Sequence, residues 1–309
     1  MNQITSVVDE ESTSVIRKTL NEGQGLSVVI PAYNEETAIG SVVEGMIQML
    51  QATGGEFEVI VVDDCSRDRT AEIAAKHGAK VLHHGRNRGY GASLKTGMRK
   101  AKYGLIGMAD ADGQHDAEQL ASLLVALGDA DVAIGARYNS HIPLVRKPGK
   151  LILKWVANWV TGWKIPDLNS GLRVMRREAI LDCIHLAPDG FSFSTTTTIA
   201  LIDAGQLIQW VPIQINKRSG RPSSVRIVRD GLKTILLIIR IVVLFAPLRV
   251  FLPVSGLLFM IGFVSAAIGF IQYQNIGDKD VIMILTSIII FFYGILADQL
   301  SAIRRELRR

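Results

Sequence analysis

The segment 110–115, which reads Asp-Ala-Asp-Gly-Gln-His, carries the residue types best suited to chemistry in this chain. It follows an apolar run of strand length, residues 103–109. Because two carboxylates one residue apart present hard oxygen ligands at the end of a strand, the pattern suits Mg²⁺ or Mn²⁺ shared with the phosphates of a ligand. A structural alternative is also compatible with these residues: Asp110 ends the strand, and Asp112 or Asp116 caps the helix that follows.

Composition and charge point to a membrane rather than to nucleic acid. The chain has 309 residues, of which 48% are hydrophobic, and a formal net charge of +5. It is therefore too apolar to be only soluble, and its charge is modest for nucleic-acid binding, so we expect no nucleic-acid partner. Cys65 and Cys183 lie far apart without metal-ligand spacing, which fits a reducing compartment. Residues 1–25 are polar, lack the pattern of a signal peptide and are expected to be poorly ordered.

Short apolar runs that alternate with helical patterns predict a doubly wound, mostly parallel α/β sheet. The predicted strands are 26–30, 57–62, 80–83, 103–109 and 131–135, and the predicted helices are 35–50, 69–77, 89–101 and 117–127. Three of these strands end in polar residues. Because the carboxyl ends of parallel strands meet at one edge of a sheet, we expect the three ends to form one site.

The residues at that edge suit a nucleotide, but not in a dinucleotide-binding fold. The first strand continues into Pro-Ala-Tyr-Asn-Glu at 31–35 instead of a glycine-rich turn, and no G-x-G-x-x-G opens the first helix. Tyr33, Glu35 and Asp64 beside a metal-binding Asp112 could hold a base, a ribose and a diphosphate in sequence.

The ordered set of motifs resembles glycosyltransferase family 2. The motifs are Pro-Ala-Tyr-Asn-Glu at 31–35, Val-Asp-Asp-Cys-Ser-Arg-Asp at 62–68, Asp-Ala-Asp-Gly-Gln-His at 110–115 and Gly-Ala-Arg-Tyr at 135–138. The chain is most similar to the polyprenyl-phosphate branch, the dolichol-phosphate mannose synthase and bactoprenol glucosyltransferase type. That likeness continues through 167–173, 190–193, 211–213 and 217–220.

This resemblance implies a Rossmann-like GT-A domain, a nucleotide-diphosphate sugar donor and a divalent metal. The candidate catalytic residues are Asp112, Arg137 and Arg218. The candidate donor-binding residues are Pro31, Tyr33, Glu35, Asp63, Asp64, Asp110 and Arg221. The candidate ligands of Mg²⁺ or Mn²⁺ are Asp110, Asp112 and Gln114. Arg137 also stands out without the resemblance, because it follows a strand at the ligand edge, where a planar guanidinium suits phosphate.

Two stretches of the second half need separate interpretation. Relatives usually carry Ser-Lys near residue 224, whereas this chain reads Arg-Ser-Gly-Arg-Pro-Ser-Ser at 218–224. The family lysine is therefore missing at Ser224, and either Arg221 or Arg226 is expected to supply its charge. The hydroxyl-rich run 194–198 has no nearby base partner, and we interpret it as structural rather than nucleophilic.

The C-terminal third has the pattern of a membrane anchor. Arg226, Lys233 and Arg240 recur at intervals of seven, and Arg229 lies on the same face of an otherwise apolar helix. This pattern indicates a helix in the membrane interface. The alternative is a helix packed on the sheet. Pro247 and Pro253 are expected to break the helical pattern. The predicted organisation is a polar segment 1–25, a GT-A domain 26–225, an interfacial helix 226–249, transmembrane helices 250–273 and 281–297, and a basic tail 298–309.

Taken together, these features and the resemblance predict metal-dependent transfer of a sugar from a nucleotide-diphosphate sugar to a polyprenyl phosphate at the cytoplasmic membrane face. The resemblance implies that this transfer proceeds with inversion at the anomeric carbon. The positive-inside rule leaves the catalytic domain and both termini cytoplasmic. Two alternatives remain: transfer to a sugar hydroxyl of a glycolipid or polysaccharide, and an inactive membrane scaffold that keeps this fold. A processive synthase is disfavoured, because the chain lacks Gln-x-x-Arg-Trp. Homo-oligomer formation through the transmembrane helices is left open.

Overall fold

The computed structural model describes residues 10–22, 25–137, 147–190, 192–214 and 227–306. The chain forms two compact units. The first comprises 1–147 and 164–225, and the second comprises 148–163 and 226–309.

The first unit is built around a seven-stranded sheet. Its strands are β1 (Leu26–Ala32), β2 (Phe57–Asp63), β3 (Lys80–His83), β4 (Leu105–Met108), β5 (Val132–Arg137), β6 (Arg173–Arg176) and β7 (Ile208–Ile213). Its helices are α1 (Glu10–Glu22), α2 (Ile39–Thr53), α3 (Thr70–Lys76), α4 (Tyr90–Lys100), α5 (Ala117–Leu127), α7 (Arg177–Cys183) and α8 (Phe193–Asp203); α6 (Lys147–Thr161) lies almost entirely in the second unit.

The strand order is β3-β2-β1-β4-β6-β5-β7, and every paired strand is parallel to its neighbours except β6. The mostly parallel sheet expected from the sequence is therefore confirmed. Because β6 runs antiparallel to β4 and β5, it begins at the edge where those two strands end. The loop before β6, residues 164–172, is thereby brought to the carboxyl edge of the sheet.

The core includes a helix where the sequence indicated poor order. Ile16 and Leu20 of α1 are almost completely buried, and α1 packs on α2 and α5. Arg17 Nε donates a hydrogen bond to the carbonyl oxygen of Thr53 at 2.9 Å. The expectation of poor order in residues 1–25 is therefore wrong for 10–22, because two apolar residues four positions apart suffice to bury one face of an otherwise polar helix.

The second unit contains α9 (Ile227–Phe245), α10 (Pro247–Tyr273) and α11 (Asp278–Glu306). Two helical stretches, 247–273 and 278–304, are long and apolar enough to cross a bilayer. They pack on each other closely, and a Cβ built at Gly294 would lie 2.6 Å from Cβ of Phe251. Pro247 begins α10, but Pro253 lies inside it, so the expected break at Pro253 is wrong. Neighbouring helices and local adjustment let a membrane-type helix tolerate an internal proline.

Two other helices of this unit expose apolar faces. Trp155 and Trp159 of α6 are exposed, as is Trp163 just after the helix, and the rings of the first two stack with centroids 6.2 Å apart. Arg249 of α10 donates to the carbonyl oxygens of Trp159 and Val160, which ties α6 to the membrane-type helices. The exposed large apolar residues of α9 are Ile235, Leu236, Ile239 and Val243. Of the predicted basic stripe, Arg226 and the side chains of Arg229 and Lys233 lie outside the described part of the chain.

Candidate functional site

A cavity of about 550 Å³ lies at the carboxyl edge of the sheet. The ends of β1, β2 and β4, which are neighbours in the sheet, supply its predicted residues. The predicted residues that line it are Pro31, Tyr33, Glu35, Asp64, Asp110 and Asp112. Asp63, Gln114 and Arg137 are not part of its lining, and Arg218 and Arg221 lie outside the described residues.

Asp64 is held in a cradle of hydrogen-bond donors. Its Oδ1 accepts a hydrogen bond from the backbone N–H of Arg88 at 2.8 Å and lies 2.7 Å from His84 Nδ1. Its Oδ2 accepts from the backbone N–H of Gly89 at 2.8 Å. His84 Nε2 lies 2.9 Å from Thr96 Oγ1, so the imidazole is itself fixed. This buried carboxylate therefore keeps one orientation at the cavity wall.

The loops that follow β1 and β2 are tied together beside this carboxylate. The backbone N–H of Asn34 donates to Ser66 Oγ at 3.0 Å, and Asn34 Oδ1 accepts from the backbone N–H of Arg67 at 2.8 Å. Asp63 is not among the residues that line the cavity, and its Oδ1 accepts from the backbone N–H of Ser66 at 3.2 Å. Asp63 therefore shapes the loop rather than facing the cavity.

Asp110 faces the cavity with its carboxylate held from two sides. Tyr90 Oη donates to its Oδ1 at 2.9 Å, and His115 Nε2 lies 3.9 Å from its Oδ2. A Cβ built on Gly171 would lie 2.1 Å from that Oδ2, so only glycine leaves room for the carboxylate in this position. Burial, and then the charge of Asp110, raise the pKa of Tyr90 well above its ordinary value, which keeps the phenol a donor.

Asp112 lies in the tight turn that follows. Gly113 has a φ of 71°, a backbone conformation suited to glycine, and the N–H of Gln114 donates to Asp112 Oδ1 at 3.1 Å. The helix α5 begins at Ala117 with Asp116 at its N-cap, but Asp116 makes no side-chain capping hydrogen bond. The capping alternative is therefore wrong for Asp112, because Asp116 occupies the N-cap position and Asp112 lines the cavity.

Arg137 forms a two-pronged ion pair at the end of β5. Its Nε and Nη2 donate to the two carboxylate oxygens of Asp167 at 2.5 and 2.9 Å. Burial alone would raise the pKa of Asp167, but these hydrogen bonds and the charge of Arg137 outweigh burial and lower it. The guanidinium predicted to reach phosphate is thus bound by a carboxylate in this structure, close enough to Asp110 for their charges to interact.

A second arginine lies fully buried nearby, and it bonds to neutral oxygens. Arg173 donates to the carbonyl oxygens of Ser170 and Ser194 and to the hydroxyls of Thr197 and Thr198, over 2.8–3.2 Å. Burial lowers its pKa to about 10, so the guanidinium stays charged near neutral pH. The prediction that the hydroxyl run is structural is confirmed for Thr197 and Thr198, which hold this cation.

The residues at the cavity fit a divalent ion that is completed by a ligand. Among the described residues, no group of three or more His, Cys, Asp and Glu side chains could hold a metal ion alone. Asp110 and Asp112 nevertheless both line the cavity, and a Cβ at Gly171 would occupy the space that Asp110 Oδ2 fills. Mg²⁺ and Mn²⁺ are commonly bound by one or two carboxylates together with substrate phosphates, which this donor set allows.

Several residues that line the cavity were not identified as site residues from the sequence. These are Ala32, Asn87, Gly89, Tyr90, Ser93, Ala111, Asn169 and Ser194. Asn169 lies in the loop before β6, which begins at the ligand edge, and Ser194 lies in the first turn of α8, after β6 and α7. The motifs at 167–173 and 190–193 were the signals that could have indicated them, because both lie next to these residues.

The chain matches the family model described as glycosyl transferase family 2 over residues 27–183, about half its length. It belongs to glycosyltransferase family 2. A second model, described as the GtrB C-terminal hairpin, matches residues 246–303, which contain α10 and most of α11. The resemblance drawn from the motifs is therefore confirmed, and this family 2 chain is a glycosyltransferase.

Named relatives agree with the branch to which the motifs pointed. The chain is 32% identical over 199 residues to the dolichyl-phosphate hexose transferase of Haloferax volcanii, an alignment that covers 63% of this chain and 84% of the relative. It is 29% identical over 205 residues to the undecaprenyl-phosphate mannosyltransferase of Micrococcus luteus, covering 62% and 83%. These relatives are named for transfer to polyprenyl phosphates.

A solved structure shares the fold at lower identity. The structure is that of glucosyl-3-phosphoglycerate synthase of Mycobacterium tuberculosis in complex with Mn²⁺ and uridine-diphosphate-glucose. It superposes on this chain with a TM-score of 0.57 at 19% sequence identity. The superposition covers 73% of this chain and 82% of the synthase. This likeness confirms the Rossmann-like GT-A fold of the first unit.

Proposed function

We propose that this glycosyltransferase moves a hexose, with inversion and with a divalent metal, from a nucleotide-diphosphate sugar to a polyprenyl phosphate at the cytoplasmic face of a membrane. The observation that carries the proposal is that Asp110 and Asp112 line one cavity together with Tyr33, Glu35 and Asp64. The relatives named for polyprenyl-phosphate transfer and the two long apolar helices support the acceptor and the membrane.

The cavity wall divides into two halves with different chemistry. Tyr33, with 44% of its surface exposed, and the fixed Asp64 carboxylate suit a nucleoside, whose ring can stack and whose N–H and O–H groups can donate. Asp110 and Asp112 suit the divalent ion, which would neutralise charge on the departing nucleoside diphosphate. Tyr90 and Gly171 keep Asp110 in place, so its orientation is set before the donor binds.

A phosphate acceptor matches the residues found here. A sugar hydroxyl needs a base to take its proton, whereas a lipid monophosphate with a second pKa of about 6 is already a dianion near neutral pH. Such an acceptor needs placement in line with the anomeric carbon, for which cations are suited. Arg137 is the described candidate, and the predicted candidates Arg218 and Arg221 lie outside the described residues.

The membrane part of the proposal rests on the second unit. Its two long apolar helices leave most of their surface exposed, as expected of segments that face lipid. Exposed tryptophans on α6 suit the headgroup region, where aromatic residues with a polar edge are enriched. Lys and Arg near the ends of the helices favour a cytoplasmic location for the termini and the catalytic domain by the positive-inside rule.

The decisive experiment is transfer by the full chain in neutral nanodiscs. A panel of labelled nucleotide-diphosphate sugars is offered with polyprenyl phosphate, and organic-phase label is measured with Mn²⁺, Mg²⁺ or EDTA. We expect metal-dependent labelling of the lipid by one donor. The matched control acceptor is the corresponding polyprenol, which lacks the phosphate and should stay unlabelled. Labelling of a glycolipid hydroxyl in place of the phosphate, or no turnover of any donor, would overturn the proposal.

The metal assignment has its own variant. Asp112→Asn keeps the side-chain shape but removes a charge from the ligand set, and transfer is expected to fall about 100-fold or more. The matched control is Asp129→Asn, an exposed carboxylate in the turn between α5 and β5. Near-normal turnover of the Asp112 variant at limiting Mn²⁺ would contradict the assignment.

A further inference from the structure

A second cavity, of about 310 Å³, opens on the exposed face of α4. Four cationic residues line it, together with a single carboxylate. The cations are Arg88, Lys95, Arg99 and Lys100, and the carboxylate is that of Asp189. This arrangement leaves an excess of positive charge in a concave site, where it attracts anions more strongly than on a flat surface.

The carboxylate in this cavity is already bound. Lys95 Nζ donates to Asp189 Oδ1 at 2.7 Å, and the backbone N–H of Ala92 donates to the carbonyl oxygen of Asp189 at 2.9 Å. The hydrogen bond from Lys95, and then the charges of Lys95, Arg88 and Arg99, lower the pKa of Asp189. Lys95 is thus paired with the acid, which leaves the cavity with a surplus of three cationic side chains.

The side chains suit a phosphate group in particular. Arg88 and Arg99 carry planar guanidinium groups, which match two phosphate oxygens at once, and Lys100 adds a point charge. The exposed positions of these three residues leave them accessible to a ligand from solvent.

Two connections join this cavity to the cavity at the sheet edge. Arg88 faces the α4 cavity with its side chain, while its backbone N–H donates to Asp64 at 2.8 Å. Thr96 also lines the α4 cavity, and its hydroxyl lies 2.9 Å from His84, whose other ring nitrogen lies 2.7 Å from Asp64. A ligand in the α4 cavity therefore contacts residues that orient a carboxylate of the donor site.

We propose that the α4 cavity is a phosphate-binding site distinct from the donor site. Its ligand is a phosphate-bearing anion, either free in solution or on a lipid headgroup, held by Arg88, Arg99 and Lys100. Binding there stabilises the segment that carries the Asp64 cradle. This inference goes beyond the proposed transfer reaction and does not require it.

The test uses inorganic phosphate and the full chain in neutral detergent. EDTA is present to keep phosphate from the metal site, and chloride holds the ionic strength constant. At about ten times the dissociation constant, phosphate should raise the melting temperature of the wild-type chain by about 3 °C. The variant Arg99→Gln/Lys100→Gln should lose most of that shift. The matched control Lys76→Gln/Lys164→Gln, which removes two other exposed cations, should keep it.

The ligand-induced shift is the quantity to compare, because the double variant also lowers the starting stability of α4. Arg99 and Lys100 lie in the last turn of that helix, where cations are favourable. Equal phosphate shifts in the wild type and in the double variant would overturn the proposal.

A second arm separates the two sources of phosphate. The same proteins are melted in nanodiscs of phosphatidylcholine with and without phosphatidic acid. Stabilisation by phosphatidic acid that the double variant loses assigns the site to a lipid headgroup, whereas a loss confined to inorganic phosphate assigns it to a free anion. Hydrogen exchange supplies an independent reading: phosphate should slow exchange in residues 84–100 of the wild type alone. Neither measurement uses a sugar donor or acceptor, so failure of the transfer reaction leaves this test intact.

Discussion

The phenol of Tyr90 donates a hydrogen bond to a carboxylate oxygen of Asp110, with 2.9 Å between the two oxygens. The phenol belongs to the first turn of α4 and the carboxylate to the residues after β4, so a helix fixes a group at the end of a strand. Because burial raises the pKa of Tyr90, the phenol stays protonated at neutral pH and remains a donor. The orientation of Asp110 is therefore a property of the protein before any ligand binds.

Tyr90→Phe removes this hydrogen bond and keeps the ring. Transfer at limiting metal is expected to fall about tenfold, since a hydrogen bond to a charged group contributes about 1.5–3 kcal/mol. Saturating metal should restore part of the lost rate. The measurement is kcat/KM as a function of Mn²⁺ concentration. Tyr103→Phe is the matched control. Tyr103 Oη also donates to a carboxylate, that of Glu56 at 2.9 Å, but this pair is not part of the cavity. Equal losses in the two variants would contradict a specific role for Tyr90.

Gly171→Ala tests the other support of Asp110. The added Cβ would lie 2.1 Å from Asp110 Oδ2, so the carboxylate must move. We expect a loss of transfer of about 100-fold, comparable to displacement of a catalytic group by about 1 Å. Gly45→Ala is the control, since its Cβ would meet nothing within 4 Å. A Gly171 variant with unchanged metal dependence would show that Asp110 need not stay where it is.

Asp167→Asn leaves the half-buried Arg137 without its carboxylate. At neutral pH the variant is expected to be less stable by about 2 kcal/mol, because a partly buried charge loses its hydrogen-bonding partner. The pKa of Asp167 is lower in the folded protein than its ordinary value of about 3.9. The ionised carboxylate therefore stabilises the fold fully at pH values above about 3.9, and this stabilisation is lost as the pH falls through the lowered pKa. Denaturation in neutral detergent should show the two proteins converging below about pH 4, whereas a constant difference would contradict the prediction.

If the acceptor is a lipid phosphate, its ionisation should control the transfer rate on the acid side of the pH profile. At low acceptor concentration the rate should rise through the second ionisation of the lipid phosphate, about pH 6, and then level off. A phosphonate analogue of the lipid has a higher second pKa and should move the acid limb upward. An acid limb that stays in place with the analogue would mean that a group on the enzyme controls the rate, as expected for a hydroxyl acceptor.

The parts of the site that follow strands directly were predictable from the sequence. Asp64 and Asp110 come immediately after apolar runs, and parallel strands bring such ends together at one edge. Tyr90 and Ser194 were not predictable in this way, because each begins a helix and reaches the cavity only through packing. Tyr90 lies beside Asp110 because α4 follows a loop that binds Asp64 through two backbone N–H groups.

Arg173 shows a different limit of sequence reasoning. A short strand with arginine at both ends reads as an exposed segment, yet this side chain has no exposed surface. Its burial depends on hydroxyls that lie more than twenty residues later, at Thr197 and Thr198, which no local pattern joins to it. Likewise, α6 reads as part of the catalytic domain, whereas the structure groups nearly all of it with the C-terminal helices.

The packing of α1 on α5 has a consequence for synthesis of the chain. About 95 residues separate the end of α1 from the start of α5, so at roughly 5–20 residues per second the helix waits on the order of 5–20 s for its partner. Throughout that interval Ile16 and Leu20 have no completed core to cover them. Nascent chains halted before residue 117 should therefore bind ribosome-associated chaperones through residues 10–22, and chains long enough for α5 to have left the ribosome should release them.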